Sequence, residues 1–546
     1  MIKNILKCSA MGLCALPSCA AGSNQADKPV RPLPNILCIV CEDTSPYLGC
    51  YGDPVAKTPV IDSLARQSVR YTNMYSTVGV SAPSRFSLIT GMYPSAMGAN
   101  YMRTQGHKPE YMPEGVRPYS VVTPPEVKCY SEYMRAAGYY CTNGPKTDYQ
   151  FAAPLTAWDE CGKTPDFLKR PEGMPFFSIV NLNVTHESKL WQRGSLPLEV
   201  DPADIIVPPY FPDTPTVRHD MAVMYSNIAE MDRQTGELLK KLEESGEMDN
   251  TIVIWYSDNG GPIPRGKREI YITGTNVPFM IRYPDGYRAG EVEDRICMFV
   301  DIPATIMSLA GLKTPSYMHG RPFAGPYEAA PRSYAYCARD RMDEKVDKQG
   351  GITDGRWQYI RNYIPERSDF LNTAFQNTLP ALQEMIGMYE RGELNEDQAK
   401  WFKPNRPEEE FYDLESDPYE LHNLASEMKD SPQMKKLRRE YDKWIKKYNK
   451  AWFIPEIDSY NSFCPGGVKQ VTAVPTFSVK NGLVSLKCET AGSSIAYRVF
   501  RSGGRKGRWL LYTGPFAIPD GQVAEAVGVR IGFADSEPLL VELVLD

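Results

Sequence analysis

Histidine is scarce in this chain, and metal-binding spacings of cysteine and histidine are absent. Five histidines are scattered among 546 residues, a poor basis for a site of two zinc ions held by several imidazoles. The thirteen cysteines show no paired spacing. Cys38 and Cys41 lie inside an apolar run that predicts a buried strand, so the sequence favours small core residues over a redox pair.

A broad basic surface and a membrane-spanning run are also missing. The formal net charge of −6 gives no extended cationic face for nucleic-acid phosphates, so we expect no nucleic-acid partner. Any anionic substrate must therefore bind at a focused, local site. The first apolar run, Cys8–Leu16, is too short to cross a bilayer as a helix.

Residues 1–22 have the pattern of an export signal, because two lysines precede the apolar run Cys8–Leu16. The next residues, Leu16-Pro17-Ser18-Cys19, resemble a lipoprotein box in which Cys19 would be lipidated. Ordinary cleavage near residues 20–22 is the alternative. We expect an exported protein, either periplasmic or tethered to the cell envelope through Cys19.

From residue 35 onward, strand and helix patterns alternate. The predicted strands are Asn35–Cys41, Tyr139–Thr142, Phe176–Asn183 and Thr251–Ser257. The predicted helices are Pro59–Val69, Lys128–Ala137 and His219–Ser245, with a further helix starting at Ser84. This alternation indicates an α/β fold around a mostly parallel sheet, whose ligands bind beyond the carboxyl ends of the strands.

The composition along the chain predicts several units. After a polar, proline-rich linker at 23–34, the main α/β domain is expected at 35–372. A smaller α+β subdomain is expected at 373–455, beginning with a helical stretch at Leu371–Trp401. From 471 to 546, β-prone runs separated by turn residues predict a β-sandwich-like accessory module.

Acidic and amide side chains follow two of the predicted strands. Glu42 and Asp43 come directly after the first strand, and Asp258 and Asn259 follow Thr251–Ser257. Hard oxygen ligands without an accompanying Cys/His set favour calcium, or magnesium, over zinc. Polar residues at strand ends also serve as turn and cap residues, so this pattern alone leaves both interpretations open.

The segment Ser81–Gly91, SAPSRFSLITG, is far more specific. It resembles the formylglycine signature of type I sulfatases, in which Cys or Ser is followed by x-Pro-Ser-Arg. An N-cap role for Ser81 would require neither Pro83 nor Arg85. The resemblance implies an alkaline-phosphatase-like fold, hydrolysis of sulfate esters, and conversion of Ser81 to formylglycine (3-oxoalanine) by a serine-oxidising maturase before folding.

The resemblance also implies how sulfate transfer would work. One hydroxyl of the aldehyde hydrate attacks sulfur and the other later collapses to expel sulfate, an exit that unmodified serine lacks. Glu42, Asp43, Asp258 and Asn259 would hold calcium, with the modified Ser81 completing the shell, and cationic side chains would stabilise the developing charge.

Further residues match sulfatase motifs in the order the family has them. Lys146 matches a sulfate-contacting lysine, His186 the histidine that contacts sulfate or the leaving-group oxygen, and Lys267 the second active-site lysine. Arg85 of the signature belongs to the same catalytic set, and residues 412–424 match the family's C-terminal signature. Taken singly, the lysines could be solvated surface residues and His186 a satisfied loop histidine.

Two positions depart from the family pattern. Many members carry a histidine two residues after the first lysine, where this chain has Asp148. Asp148 either takes a related proton-handling role or another group substitutes for it. The first metal candidate is Glu42 rather than the commoner aspartate, so its carboxylate must reach from a different backbone position.

The substrate is less well specified. Six residues lie in segments that often line the sugar pocket of this superfamily, although surface or ion-pairing roles explain each equally well: Asn100, Arg103, His319, Arg339, Asp340 and Arg341. The C-terminal module faintly resembles a β-domain appended to some hexosaminidases, an analogy that suggests glycans. We expect a sulfated carbohydrate, as in glycosaminoglycan or mucin-type fragments.

Two other functions stay open at this point. A phosphatase or phosphonate hydrolase of the same superfamily would share the fold and the metal chemistry. A non-enzymatic glycan-binding surface protein would leave Ser81 unconverted.

Overall fold

The computed structural model describes residues 33–542. The predicted export signal, Cys19 and nearly all of the predicted linker lie outside the described residues. Within residues 33–542, none of the helices is both long and apolar enough to cross a bilayer.

Nine strands of the described chain form the main sheet. In chain order they are β1 (Asn35–Cys41), β2 (Ser68–Tyr75), β3 (Tyr140–Gly144), β4 (Glu160–Cys161), β5 (Phe176–Leu182), β6 (Thr251–Ser257), β7 (Asn276–Arg282), β8 (Val292–Glu293) and β9 (Cys297–Met298). Their spatial order is β4-β3-β5-β1-β6-β7-β2-β8, with β9 also paired to β2. Strand β7 is antiparallel to both neighbours and the other pairings are parallel, so the predicted mostly parallel sheet is confirmed.

Strand β1 is central and buried along its whole length, which explains its continuous apolar sequence. Cys38 packs in the hydrophobic core on one face of the sheet and Cys41 in the core on the other. Both are free, buried cysteines, in agreement with the core interpretation.

Helices cover both faces of the sheet. They are α1 (Pro59–Arg66), α2 (Ser81–Thr90), α3 (Tyr130–Ala136), α4 (Ser188–Gln192), α5 (Pro215–Glu244), α6 (Ile272–Thr275), α7 (Asp301–Leu309), α8 (Pro380–Glu390), α9 (Glu396–Lys400), α10 (Ala425–Met428), α11 (Pro432–Tyr448) and α12 (Glu456–Phe463). Apolar residues of α2, α3 and α7 pack into one core, and those of α1, α4, α5 and α8 into the other. The sheet is therefore sandwiched between helices, with its ends open for a site.

Several of the predicted boundaries were wrong, and the long helix predicted from His219 starts at Pro215. The helix predicted at 59–69 ends at Arg66, because the chain turns into β2, which pairs antiparallel with β7. Helix α2 begins at Ser81 rather than Ser84, since Pro83 falls in the first turn, where its missing N–H costs nothing. The helical stretch predicted at 371–401 is helical in α8 and α9, but before Pro380 it contains only a short 3-10 helix at Gln376–Thr378.

Two further groups of strands follow the main sheet. Strands β10 (Ala335–Arg339), β11 (Gln349–Thr353), β12 (Trp357–Asn362) and β13 (Glu409–Asp413) form an antiparallel sheet. Seven more strands form two antiparallel sheets, β14-β15-β18 and β17-β16-β19-β20: β14 (Thr476–Lys480), β15 (Leu483–Lys487), β16 (Ser494–Arg501), β17 (Leu510–Leu511), β18 (Phe516–Ala517), β19 (Gln522–Val529) and β20 (Leu539–Glu542).

The two C-terminal sheets share a hydrophobic core of their own and also bond to the main domain. Lys128 Nζ donates to the Gly492 carbonyl at 2.6 Å, and Arg508 donates to Asp159 Oδ1 at 2.6 Å. Polar contacts thus fix these sheets against the side of the α/β domain.

Candidate functional site

The carboxyl ends of β1 and β6 lie side by side, because Cys41 pairs with Ser257 in parallel register. The residues that follow each strand therefore meet. The Asp43 backbone N–H donates to Asp258 Oδ1 at 3.2 Å, and Asn259 Nδ2 donates to Asp43 Oδ1 at 2.9 Å. Asp43 has φ of +45°, a left-handed conformation uncommon outside glycine that turns the chain sharply at the strand end.

Ser81 opens helix α2 directly beside these oxygens. Its Oγ donates to Asn259 Oδ1 at 3.0 Å, and Ser84 Oγ one turn later donates to the Asp258 carbonyl at 2.6 Å. Ser81 is 1% exposed. The first turn of α2 is therefore fastened to the residues that follow β6.

Two buried cations neutralise two of the carboxylates. Lys267 Nζ donates to Asp43 Oδ2 at 2.6 Å, and Arg85 Nε donates to Asp258 Oδ2 at 2.7 Å. Burial acts to lower the pKa of Lys267, but Asp43 and Glu187 hold it above its ordinary value. Lys267 therefore remains an ammonium group, as a buried charge requires a close partner.

Glu42 faces three positive or protonatable groups. Lys146 Nζ donates to Glu42 Oε2 at 2.8 Å, His186 Nε2 lies 3.8 Å from the same oxygen, and Arg85 Nη2 lies 3.6 Å from Oε1. Burial acts to raise the pKa of Glu42, but Lys146, Arg85 and His186 together keep it below its ordinary value. Glu42 is consequently an ionised carboxylate.

His186 projects from the loop that follows β5. Burial, reinforced by Lys267, lowers the pKa of this imidazole. The Ser188 backbone N–H donates to His186 Nδ1 at 3.2 Å, so Nδ1 is an acceptor and the proton of the neutral ring lies on Nε2. The side that faces Glu42 is thus the proton-bearing side.

Asp148 is held by two cations. Arg103 Nη2 donates to Asp148 Oδ2 at 2.7 Å, and Lys146 Nζ lies 3.8 Å from that oxygen. Burial acts to raise the pKa of Asp148, yet Arg103 and Lys146 bring it below its usual range. Asp148 links Arg103 to the lysine that contacts Glu42.

Glu187 and Arg268 were missed from the sequence. The Glu187 backbone N–H donates to Asp43 Oδ2 at 2.7 Å, and Arg268 Nη1 donates to Glu187 Oε2 at 2.6 Å. Burial acts against ionisation, but Arg268 and Lys267 lower the pKa of Glu187 to about 2. Glu187 directly follows His186, and Arg268 directly follows Lys267. Inspection of the residues next to these motif positions could have identified both.

Three of the predicted sugar-contacting residues connect to Arg103 or to one another. Asn100 Nδ2 donates to Asp340 Oδ2 at 2.8 Å. Arg341 Nη2 donates to the Arg103 carbonyl at 3.2 Å and forms an ion pair with Glu456 at 2.7 Å. Arg103 alone among these is appreciably exposed, at 30% of its side chain.

His319 and Arg339 are not brought into this cluster. His319 Nδ1 accepts a hydrogen bond from the Tyr93 N–H and its ring stacks on Tyr93. Burial lowers the pKa of His319 to about 4. The Arg339 side chain is enclosed by Glu269, Gln349 and the Asp369 carbonyl. His319 and Arg339 therefore bond to the structure around them and do not reach the cluster. Their positions in the sequence did not indicate this.

The oxygen cluster suits a hard divalent cation. Across residues 33–542, no group of three or more His, Cys, Asp or Glu side chains is arranged to hold a metal ion, and Asp43, Asp258 and Glu42 are paired with Lys267, Arg85 and Lys146. The donor set nevertheless consists of three carboxylates and the Asn259 amide. Glu42 Oε1 is buried without a hydrogen-bond partner, and such an oxygen is well suited to calcium or magnesium.

Comparison with known proteins identifies the family. A model described as "Sulfatase" matches residues 34–152 and 160–312, and one described as "N-sulphoglucosamine sulphohydrolase, C-terminal" matches residues 265–400. An ulvan-active sulfatase from Formosa agariphila is 38% identical, over 93% of this chain and 91% of its own. N-sulphoglucosamine sulphohydrolase from Homo sapiens is 26% identical, over 80% of this chain and 95% of its own.

A solved structure in complex with its substrate D-glucosamine-2-N,6-O-disulfate has the same fold. It matches with a TM-score of 0.54 and 18% identity, over 78% of this chain and 100% of its own. The mostly parallel sheet flanked by helices is accordingly the alkaline-phosphatase-like sheet expected from the sequence. With a family model across the main domain and 38% identity over nearly the whole chain, this protein belongs to the sulfatase family and is a sulfuric ester hydrolase.

Proposed function

We propose that this enzyme hydrolyses sulfate esters on a sulfated polysaccharide, with a formylglycine made from Ser81 and a bound calcium ion. The observation that carries the proposal is the hydrogen bond from Ser81 Oγ to Asn259, within the oxygen cluster of Asp43 and Asp258. Lys267 and Lys146 border the same cluster. A nucleophile position, hard oxygen ligands and cations for an anionic group are thereby in one place.

The polysaccharide is inferred from the relatives. One is named an ulvan-active sulfatase and another an N-sulphoglucosamine sulphohydrolase, and both names indicate a carbohydrate substrate that carries sulfate. The match to the ulvan-active enzyme spans almost the whole chain. We therefore place ulvan oligosaccharides first among candidate substrates and glycosaminoglycan fragments second.

Glu42, Asp43, Asp258 and Asn259 would hold the calcium, with magnesium as the alternative. Bound there, the ion would polarise the sulfate group and offset its charge. Formylglycine would supply a hydrate whose second hydroxyl lets the enzyme release sulfate. Glu42 Oε1, which is buried and accepts no hydrogen bond, and the all-oxygen donor set support this assignment.

The remaining residues would bind the charged group of the substrate and stabilise the leaving oxygen. Lys146 and Lys267 would bind the sulfate oxygens and stabilise negative charge as it develops, because preorganised cations are most effective at that stage. Nε2 of His186 carries a proton on the side facing the cluster and would donate a hydrogen bond to the leaving oxygen as negative charge develops there. Asp148, ionised between Arg103 and Lys146, would position these cations.

Maturation and location complete the proposal. A serine-oxidising maturase would act on Ser81 before folding, because Ser81 is 1% exposed in the folded chain. The signal pattern of residues 1–22 would direct export to the periplasm, with Cys19 as the site of a lipid tether if the lipoprotein box is used.

The test joins mass spectrometry with an activity panel. The chain is produced with and without a serine-oxidising maturase, and the mass of the Ser81 peptide is compared with sulfate released from ulvan oligosaccharides and D-glucosamine sulfates. Sulfate release should follow the formylglycine mass. Full activity of the unmodified protein would contradict the mechanism, and faster turnover of matched phosphate esters would favour the phosphatase alternative.

A further inference from the structure

Two aromatic side chains border the histidine side of the proposed site. Phe375 packs edge-to-face against Trp191, with ring centroids 5.2 Å apart, and against His186 at 6.3 Å. Trp191 belongs to α4, directly after the His186 loop, whereas Phe375 comes from the irregular segment before α8. Phe375 thus contacts a proposed catalytic residue directly, and Trp191, from a separate part of the chain, packs against Phe375.

Phe375 remains 37% exposed although its loop is firmly held. Thr373 and Gln376 on either side of it are buried, and the Ala374 N–H donates to Glu344 Oε1 at 2.7 Å. Aromatic side chains line many small-molecule binding sites. The ring is therefore presented to solvent by an anchored segment rather than by a loose tip.

One face of the Phe375 ring is already covered. The guanidinium carbon of Arg268 lies 5.8 Å from the ring centroid, and this guanidinium is fixed by Glu187 at 2.6 Å and Asp343 at 3.1 Å. The 37% of the side chain that remains exposed is the part available to a ligand. Sugar rings present a face of carbon-bound hydrogens that packs on aromatic rings, while their hydroxyls remain solvated.

We infer that Phe375, supported by Trp191, is a stacking platform for a pyranose ring of the glycan, an inference that rests on the proposed function. His186 contacts both the Phe375 ring and Glu42. A sugar whose sulfate reaches Lys146 and Lys267 passes its ester oxygen close to His186. Its own ring or the adjoining one then lies over Phe375, so the platform selects the sugar without contacting sulfate.

The kinetic test uses matured enzyme and ulvan oligosaccharides, with inorganic sulfate as a probe of the anion site alone. Phe375→Ala should lower kcat/KM for the oligosaccharide at least about fivefold, as loss of a central aromatic contact commonly does, and leave inhibition by sulfate within about twofold. Phe375→Tyr keeps the ring and should behave as wild type. Phe477→Ala removes another exposed phenylalanine, 47% exposed in β14, and is the matched control.

A binding arm separates this inference from the proposed chemistry. In the Ser81→Ala background, which needs neither maturation nor turnover, calorimetry measures the affinity for desulfated ulvan oligosaccharides with and without Phe375→Ala. Weaker binding by about fivefold or more supports the platform even if wild-type enzyme releases no sulfate. Equal affinity in both chains, no binding in either, or a parallel loss of sulfate inhibition would overturn it.

Discussion

Lys267 donates from Nζ to Oδ2 of Asp43 over 2.6 Å, with both side chains essentially inaccessible to water. A proposed sulfate-binding cation and a proposed metal ligand are therefore directly joined. Removal of either charge leaves the other buried without its partner, which is costly in a low-dielectric site. Metal binding and sulfate binding are therefore expected to be lost together.

Lys267→Ala should lower kcat by on the order of a hundredfold or more, as loss of one preorganised charge stabiliser commonly does. Steady-state kinetics on one oligosaccharide and one small aryl sulfate measure the effect. Lys189→Ala is the control, because Lys189 of α4 is partly exposed and donates to Gln192. If Lys267→Ala cripples the oligosaccharide reaction but spares the aryl sulfate, Lys267 selects the substrate instead of stabilising the transferred group.

Asp43→Ala and Asp258→Ala should each lose bound metal and activity, because each removes a charge and a ligand from a hard-ion site. Elemental analysis of calcium and magnesium per chain, alongside sulfate release, tests this. Asp430→Ala is the control, since Asp430 pairs with Lys435 at the surface. Undiminished metal content and turnover in both site variants would place the metal elsewhere.

Much of the main sheet could be predicted because its central strands are continuous apolar runs, as in Asn35–Cys41 and Thr251–Ser257. Strand β2 was missed because its sequence mixes Arg70 and Asn73 among apolar residues, and its pairing with β7 is interrupted by a register shift. The spacing of apolar residues along the sequence does not indicate which strand β2 pairs with or where its register shifts. Local propensity there was overridden by tertiary pairing.

The oxygen cluster was foreseeable because the ends of neighbouring parallel strands meet at one edge. The role of Arg339 was not foreseeable in the same way. Its partners Glu269 and Asp369 are 70 and 30 residues away, and only folding encloses it. The same holds for the pairing of Glu187 with Arg268, 81 residues apart.

Glu420 gives a pH-dependent stability prediction. Its Oε2 accepts the Ile272 N–H at 2.8 Å, and burial raises its pKa from 4.5 to about 8. Between about pH 4.5 and pH 8, the folded chain keeps this proton and the unfolded chain loses it. The free energy of unfolding therefore decreases as the pH rises through this range. Glu420→Gln keeps a hydrogen-bond acceptor and cannot ionise. Its melting temperature should therefore rise relative to that of the wild type as the pH increases from 5 to 8. A difference that is constant with pH would contradict this.

Deletion of residues 471–546 should leave the reaction intact and lower stability. The proposed catalytic and metal residues all precede this point, but Lys128 and Asp159 would lose their partners Gly492 and Arg508. We expect kcat on a small aryl sulfate within about threefold of wild type and a melting temperature lower by several degrees. A soluble, metal-loaded truncation without activity would show that these sheets complete the site.

Asp148 and Arg103 provide the sharpest test of a departure from the family pattern. If Asp148 acts by holding Arg103, to which it is bonded at 2.7 Å, then Asp148→Asn and Arg103→Ala disrupt the same contact. Their effects on kcat/KM for an oligosaccharide should not add, so the double variant should be little worse than the poorer single one.

The pH profile decides the remaining alternative for Asp148. A positioning residue that stays ionised throughout the assay range lowers the whole curve by about tenfold when replaced, without changing its shape. A proton-accepting Asp148 would instead contribute the acidic limb, and Asp148→Asn would remove that limb even in the Arg103→Ala background. Kinetics of the four chains between pH 4.5 and 8.5 distinguish the two outcomes, with inhibition by inorganic sulfate reporting whether the anion site is still assembled in each.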